Sequence, residues 1–234
     1  MLERGDCEYS LPVLFSLTYE SIKGPAMSKT NISLVAEPKL FEKFFHLLQK
    51  GVQVTARVGS TVRSFLCDDL GLSPEYVDKR IQTLFLNGKA IDNPDIAHLK
   101  EKSTLALSAA MPGLLGATLR KGSYYARMRN EISYQEQSTG VTVHEGFIQL
   151  KLFNLLPAEI GPAVLARGIW LTGEDLNQFL KDLPDEVVGM CMEAKLDGQP
   201  VKLKDFVEKC LEYEWVLLKI QCTLSTAGNG RENA

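Results

Sequence analysis

The dipeptide Asn87-Gly88 constrains this chain more than any other feature of its sequence. It stands between Ile81–Leu86, a run rich in β-formers, and the short return Lys89-Ala90-Ile91. A two-residue type I′ hairpin needs positive φ at both central positions, and Asn-Gly adopts that geometry at the lowest steric cost. An antiparallel hairpin is therefore predicted over 81–91. Asp197-Gly198, after Met190–Leu196, repeats the signal in the second half of the chain.

The segments around the hairpins alternate between the two hydrophobic periods. Ile32-Ser33-Leu34-Val35 and Val52–Val58 have the period of two expected of strands. Between them Phe41, Phe44, Phe45 and Leu48 recur at helical spacing after Pro38, and Gly51 ends the stripe. Thr61 supplies an N-cap oxygen for a second helix carrying Val62, Phe65, Leu66 and Leu70, and Ser73-Pro74 opens a further helical turn. Thr104–Ala110 reads as a strand after the polar loop 92–102. Farther on, Val141–Phe153 is a long strand-like run. Leu155–Gly168 contains Pro157, Gly161 and Pro162 and is read as irregular or a short helix. Thr172 caps a helix over Leu176, Phe179, Leu180 and Leu183; a helix over Leu203–Leu211 and a last strand Trp215–Cys222 follow.

The first half carries a family resemblance. Gly59-Ser60-Thr61-Val62-Arg63-Ser64-Phe65-Leu66, then Gly71-Leu72, then Leu84-Phe85-Leu86-Asn87-Gly88-Lys89, then Leu99–Leu107 resemble the ubiquitin-like β-grasp of the MoaD/ThiS sulfur carriers. The resemblance covers roughly residues 30–116. It implies a small mixed sheet around one helix, with the helix over 39–50 inserted where the family has a tight hairpin. It also implies a glycine tail after the last strand, here represented by Gly113 and Gly116. Carrier chemistry needs a free terminal carboxylate, and this chain runs on to Ala234, so activity as a carrier would require cleavage near Gly116. In the second half Thr172, Phe179-Leu180, Leu196-Asp197-Gly198, Val201 and Leu217 echo Thr61, Phe65-Leu66, Leu86-Asn87-Gly88, Ile91 and Leu105, the order expected of a diverged β-grasp repeat.

The fold class is therefore read as α+β. Residues 1–27 form an N-terminal extension, 28–116 the β-grasp domain, 117–140 a linker, 141–222 a second, smaller α+β domain and 223–234 a flexible tail. Met27 is taken as the true start of translation, because the stretch before it is a poor signal peptide: Pro12 and Ser16 break its apolar run and Glu3, Asp6 and Glu8 give its leader the wrong charge. Five cysteines with no C-x-x-C spacing argue for free thiols in a reducing compartment, and the cytoplasm is the expected location. No apolar run approaches the ~18–20 residues that cross a bilayer. Twenty-six basic against 29 acidic side chains give a net charge of −3, unlike a dedicated DNA-binding protein.

Few residues invite chemistry. His46, His98 and His144 lack metal-ligand spacing, and no phosphate-binding glycine motif occurs, so no metal, cofactor or catalytic residue is assigned. Asp68-Asp69 are neighbours on a helix, about 100° apart, and make a poor acid–base pair. Arg120, Lys121, Arg127 and Arg129 surround Tyr124 and Tyr125, a basic and aromatic patch of the kind that holds single-stranded RNA. Trp170 and Trp215 are read as core or interface anchors. The reading adopted is a non-catalytic protein-interaction or adaptor protein with a sulfur-carrier-like β-grasp domain. The alternatives are a sulfur or acyl carrier activated by cleavage near Gly116, and an RNA-binding protein or enzyme with a site between the two domains. The sequence leaves the partner and the oligomeric state open.

Overall fold

Valine, leucine and isoleucine alternate with polar residues along most strands, and that alternation gives the sheet one greasy face. In the computed structural model, which describes residues 28–111, 113–125, 129, 133–134 and 142–223, ten strands form one mixed sheet. They are β1 (Lys29–Ala36), β2 (Val52–Val58), β3 (Thr83–Leu86), β4 (Lys89–Ala90), β5 (Thr104–Ser108), β6 (His144–Phe153), β7 (Ile169–Thr172), β8 (Cys191–Leu196), β9 (Gln199–Pro200) and β10 (Trp215–Cys222). Their order across the sheet is β4-β3-β5-β6-β2-β7-β10-β1-β8-β9. The expected extension 1–27 lies outside the described residues, as do most of the expected tail and part of the linker.

The sheet has two halves that meet at a single pairing, Gln53 opposite Trp170. In each half a parallel central pair is flanked by antiparallel strands and ends in a hairpin. One half has β5 parallel to β6, with β3 and β2 outside them. The other has β1 parallel to β10, with β8 and β7 outside. Both predicted hairpins form, β3–β4 and β8–β9. Asn87 and Gly88 have φ of 51° and 78°, and Asp197 and Gly198 have 47° and 84°, as the type I′ turn requires. The side chains of the two turns do the same work. Asn87 Oδ1 accepts from Thr104 N at the start of β5 (2.8 Å), and Asp197 accepts from Asn31 N (2.9 Å) and Thr30 Oγ1 (2.7 Å) at the start of β1.

The placement of β1 departs from the sequence reading. It does not pair within residues 30–116 but lies between β10 and β8. The helical stretch read as an insertion, α1 (Pro38–Lys43) and α2 (Phe45–Lys50), is the crossover that carries the chain from β1 to β2 in the other half of the sheet. Its counterpart is α6 (Leu156–Arg167), which carries the chain from β6 to β7. Of the two readings of 155–168, irregular or a short helix, the helix is observed, and it is longer than expected and continuous through Pro162. Pro157 sits in the first turn, where its missing N–H costs nothing, and Ile160, Gly161, Val164 and Leu165 are buried and hold the rest. The two crossovers pack together at Gly161, where a Cβ would come within 2.9 Å of Leu48.

The remaining helices are α3 (Val62–Ser64), which runs on as a π-helical turn over Phe65–Asp69, α4 (Pro74–Lys79), α5 (Gly113–Leu119), α7 (Gly173–Lys181), α8 (Asp185–Val188) and α9 (Leu203–Lys209). Thr61 and Thr172 are N-caps as predicted, accepting from Ser64 N and Asp175 N. One continuous core joins both halves, with Phe44, Phe65, Phe206, Ile32, Leu34 and Leu48 wholly enclosed. Each such side chain contributes about 1.5–3 kcal/mol through removal from water. Among the described residues no helix is long and apolar enough to cross a membrane.

Candidate functional site

The strands bury one face and leave the other half-open. Val52, Val54 and Ala56 of β2, Ile148, Leu150 and Leu152 of β6, and Val216, Leu218 and Ile220 of β10 point into the core. The opposite phase presents Gln53, Thr55, Phe147, Gln149, Trp170, Trp215 and Leu217, all half-buried. Strand pairing lines up Thr104, Gln149, Gln53, Trp170, Leu217 and Asn31 in one row across six strands. Along this row lies a trough of about 450 Å³. Its floor is Phe147, Trp170 and Trp215, and its polar walls are Gln53, Gln149, Thr104, Lys29, Glu101 and Lys102.

The floor is held rigidly. Phe147 meets Trp170 edge to face at 5.9 Å, and the Trp170 indole N–H donates to Thr55 Oγ1 at 3.3 Å. Lys29 Nζ sits 5.9 Å from the Trp170 ring centre, a cation–π contact at the trough's far wall. Glu101 is committed to structure: its Oε1 accepts from Phe147 N at 3.1 Å, and its Oε2 lies 3.9 Å from His144 Nε2. Thr104 Oγ1 and Gln149 Oε1 are 3.2 Å apart. An array of flat apolar surface, neutral amides and two ammonium groups suits binding. It offers no nucleophile with an adjacent base, and no group of three or more metal-ligating side chains occurs among the described residues.

The residues singled out from sequence are placed elsewhere. Gly113 and Gly116 lie in helix α5, not in an extended tail. Gly116 is required there because a Cβ would fall 1.7 Å from the Met111 carbonyl oxygen. Of the three basic residues that are described, Lys121 and Arg129 are turned inward. Arg129 is only 4 % exposed; its guanidinium donates to Thr118 O (2.7 Å), Asp92 Oδ1 (2.5 Å) and Ser133 Oγ (3.2 Å). Lys121 Nζ donates to Val77 O at 2.8 Å, and burial pulls its pKa down. Arg120, Tyr124 and Tyr125 are exposed, with the two tyrosine rings edge to face at 5.5 Å. Arg127 lies outside the described residues.

Two other charged clusters tie elements together. Arg57 bridges Asp68 (3.0 Å) and Asp69 (2.8 Å), and Ser64 Oγ donates to Asp68 at 2.7 Å; these hydrogen bonds, that of Ser64 foremost, lower the Asp68 pKa. Glu159 on α6 takes both Arg80 and the Tyr76 hydroxyl (2.6 Å) from the α4 region. The Arg80 hydrogen bonds hold the Glu159 carboxyl down at about 2. Of the trough residues, sequence reasoning noted only Trp170 and Trp215, as anchors. The available signal was phase: Phe147, Trp170 and Trp215 are large aromatics set out of step with the core residues of their own strands. Family models, curated proteins and solved structures give no match to this chain.

Proposed function

We propose that this chain is a non-catalytic interaction protein that holds a segment of a partner protein on the open face of its sheet. The observation that carries the reading is the trough: three aromatic side chains and two glutamines gathered from four strands on the half-buried face of the sheet. Aromatic anchors in a concave, partly polar setting are the usual source of binding energy at protein interfaces. In β-grasp proteins the sheet face is likewise the recognition surface, and a β-grasp ancestry of both halves is part of this proposal. It draws support from the strand order β2-β6-β5-β3-β4 with α3 between β2 and β3, β6 standing where the first strand of such a domain would be. A cytoplasmic setting accords with the free thiols of Cys67, Cys191, Cys210 and Cys222.

The reading is tested by photo-crosslinking in cells, with a photoreactive amino acid placed at Gln53 or Gln149 and, as comparison, at Lys204 on the helical side. Protein adducts from the sheet positions that vanish on Trp170→Ala plus Trp215→Ala are expected. Adducts formed only from Lys204, or none from the sheet positions, would overturn it.

A further inference from the structure

Resting on that reading, we infer that the segment held in the trough is extended, about seven residues long, acidic near both ends and aromatic or aliphatic between. The length follows from the lining. Its residues come from the start of β5 through β6, β2, β7 and β10 to the start of β1, six adjacent strands. Neighbouring strands lie ~4.8 Å apart, so the trough is roughly 24 Å long, and an extended chain at ~3.4 Å per residue crosses it in about seven residues. Alternate side chains of such a segment face the same way, so three or four of them enter the trough and the rest face solvent.

The chemistry follows from the order of groups along it. Lys102 stands at the β5 end, and Lys29 rises from β1 and reaches back over the Trp170 ring, 5.9 Å from its centre, with Phe147, Gln149 and Gln53 between the two. The lone carboxylate of the lining, Glu101, is engaged with the Phe147 N–H. Lys151 and Lys219 flank the same face, opposite Ala106 and Ser33. A chain of net charge −3 thus gathers four lysines around one aromatic floor. Single-stranded RNA fits this arrangement less well than a peptide. It carries a phosphate at every nucleotide, and those over the middle would meet neutral amides and aromatic rings. A peptide can confine its charges to the ends.

The test exploits a feature of the sequence: the chain has two tryptophans, and both floor the trough. A phage-displayed library of random heptapeptides is selected on the full chain and counter-selected on Trp215→Ala, whose thermal unfolding is checked against the wild type. Enriched peptides are synthesised and titrated by tryptophan fluorescence. The expected result is a consensus with Asp or Glu near both ends and Phe, Tyr, Trp or Leu within. Binding should weaken about tenfold or more in Lys29→Glu and in Lys102→Glu, and less in Lys204→Glu, which lies away from the trough. No enrichment, a basic or uncharged consensus, or tighter saturation by an oligouridylate of eight nucleotides would overturn the inference. Failure here together with Trp-dependent crosslinking in cells removes only the assigned chemistry; loss of both removes the interaction reading itself.

Discussion

The two halves of the sheet reach the same strand arrangement by different routes along the chain. The half containing β2, β3, β4, β5 and β6 is drawn from one continuous stretch, residues 52–153. The half containing β7, β8, β9 and β10 is continuous from 169 to 222 but takes one of its central strands, β1, from residues 29–36. The second half therefore closes only when the two ends of the described chain come together. Contacts so distant in sequence form late and slowly, because the intervening loop must be ordered first. With one sheet and one continuous core, the whole sheet is expected to be the unit of stability, even though each half has its own hairpin, capped helix and parallel pair.

The sharpest way to break that conclusion is to weaken β1. Leu34 is 1 % exposed on β1, and Leu107 is fully buried on β5. Leu34→Ala and Leu107→Ala are each expected to cost ~2–5 kcal/mol in urea unfolding. For both variants the far-ultraviolet circular dichroism and tryptophan fluorescence transitions should coincide, as a single cooperative unit requires. Separation of the two signals in Leu34→Ala alone would mean that the second half opens by itself. A smaller effect is expected at the capped helices. Thr61 is followed by Val62, whereas Thr172 is followed by Gly173, where a Cβ would fall 2.0 Å from Cys210 O and 2.2 Å from Tyr213 O. Gly173→Ala should cost ~1–3 kcal/mol through this overpacking, and Gly189→Ala, with neighbours at 3.4 Å, much less.

The hairpins give the next test. Asp197→Ala removes acceptors for Thr30 Oγ1 and Asn31 N and places alanine at φ 47°. A loss of ~1–3 kcal/mol is expected from thermal unfolding, and an equal loss for Asn87→Ala, which frees Thr104 N. If Asp197→Ala is neutral, β1 is held by its ladder alone and the likeness of the two turns is incidental.

These elements differ in how far the sequence announces them. The hairpins were legible because Asn-Gly and Asp-Gly state a backbone conformation outright, and Val52–Val58 and Trp215–Cys222 were legible because alternation marks both face and extent. Pairing was not. Alternation tells which side of a strand is buried but not which strand lies beside it, so the sequence alone pairs β1 with its neighbour along the chain and makes α1–α2 an insertion. Pro157 and Pro162 hid α6 because a proline is a breaker only where burial does not compensate. The trough was half legible. Trp170 and Trp215 stood out, but the row linking them to Gln53 and Gln149 exists only once β2 and β7 meet.

The smallest effect expected is at the seam between a crossover helix and the first half. Glu159 of α6 binds Arg80 and Tyr76, and its carboxyl is held at about 2, below its ordinary 4.5. A depressed pKa means that the folded chain binds the proton less well than the unfolded chain does. The stabilisation is therefore complete above pH 4.5 and fades as the pH falls toward 2. Both side chains face water, so screening keeps the contribution small. Glu159→Gln should lower the thermal midpoint slightly at pH 7 and leave it nearly unchanged at pH 2, narrowing the pH dependence over that interval. Lys79→Gln, which breaks an i,i+4 pair with Glu75 within α4, should alter neither the slope nor the midpoint as much. A Glu159→Gln profile that parallels the wild type from pH 5 to pH 2 would show that α6 is fixed to the first half by packing of its buried residues alone, and that the two crossovers hold the halves together without this ion pair.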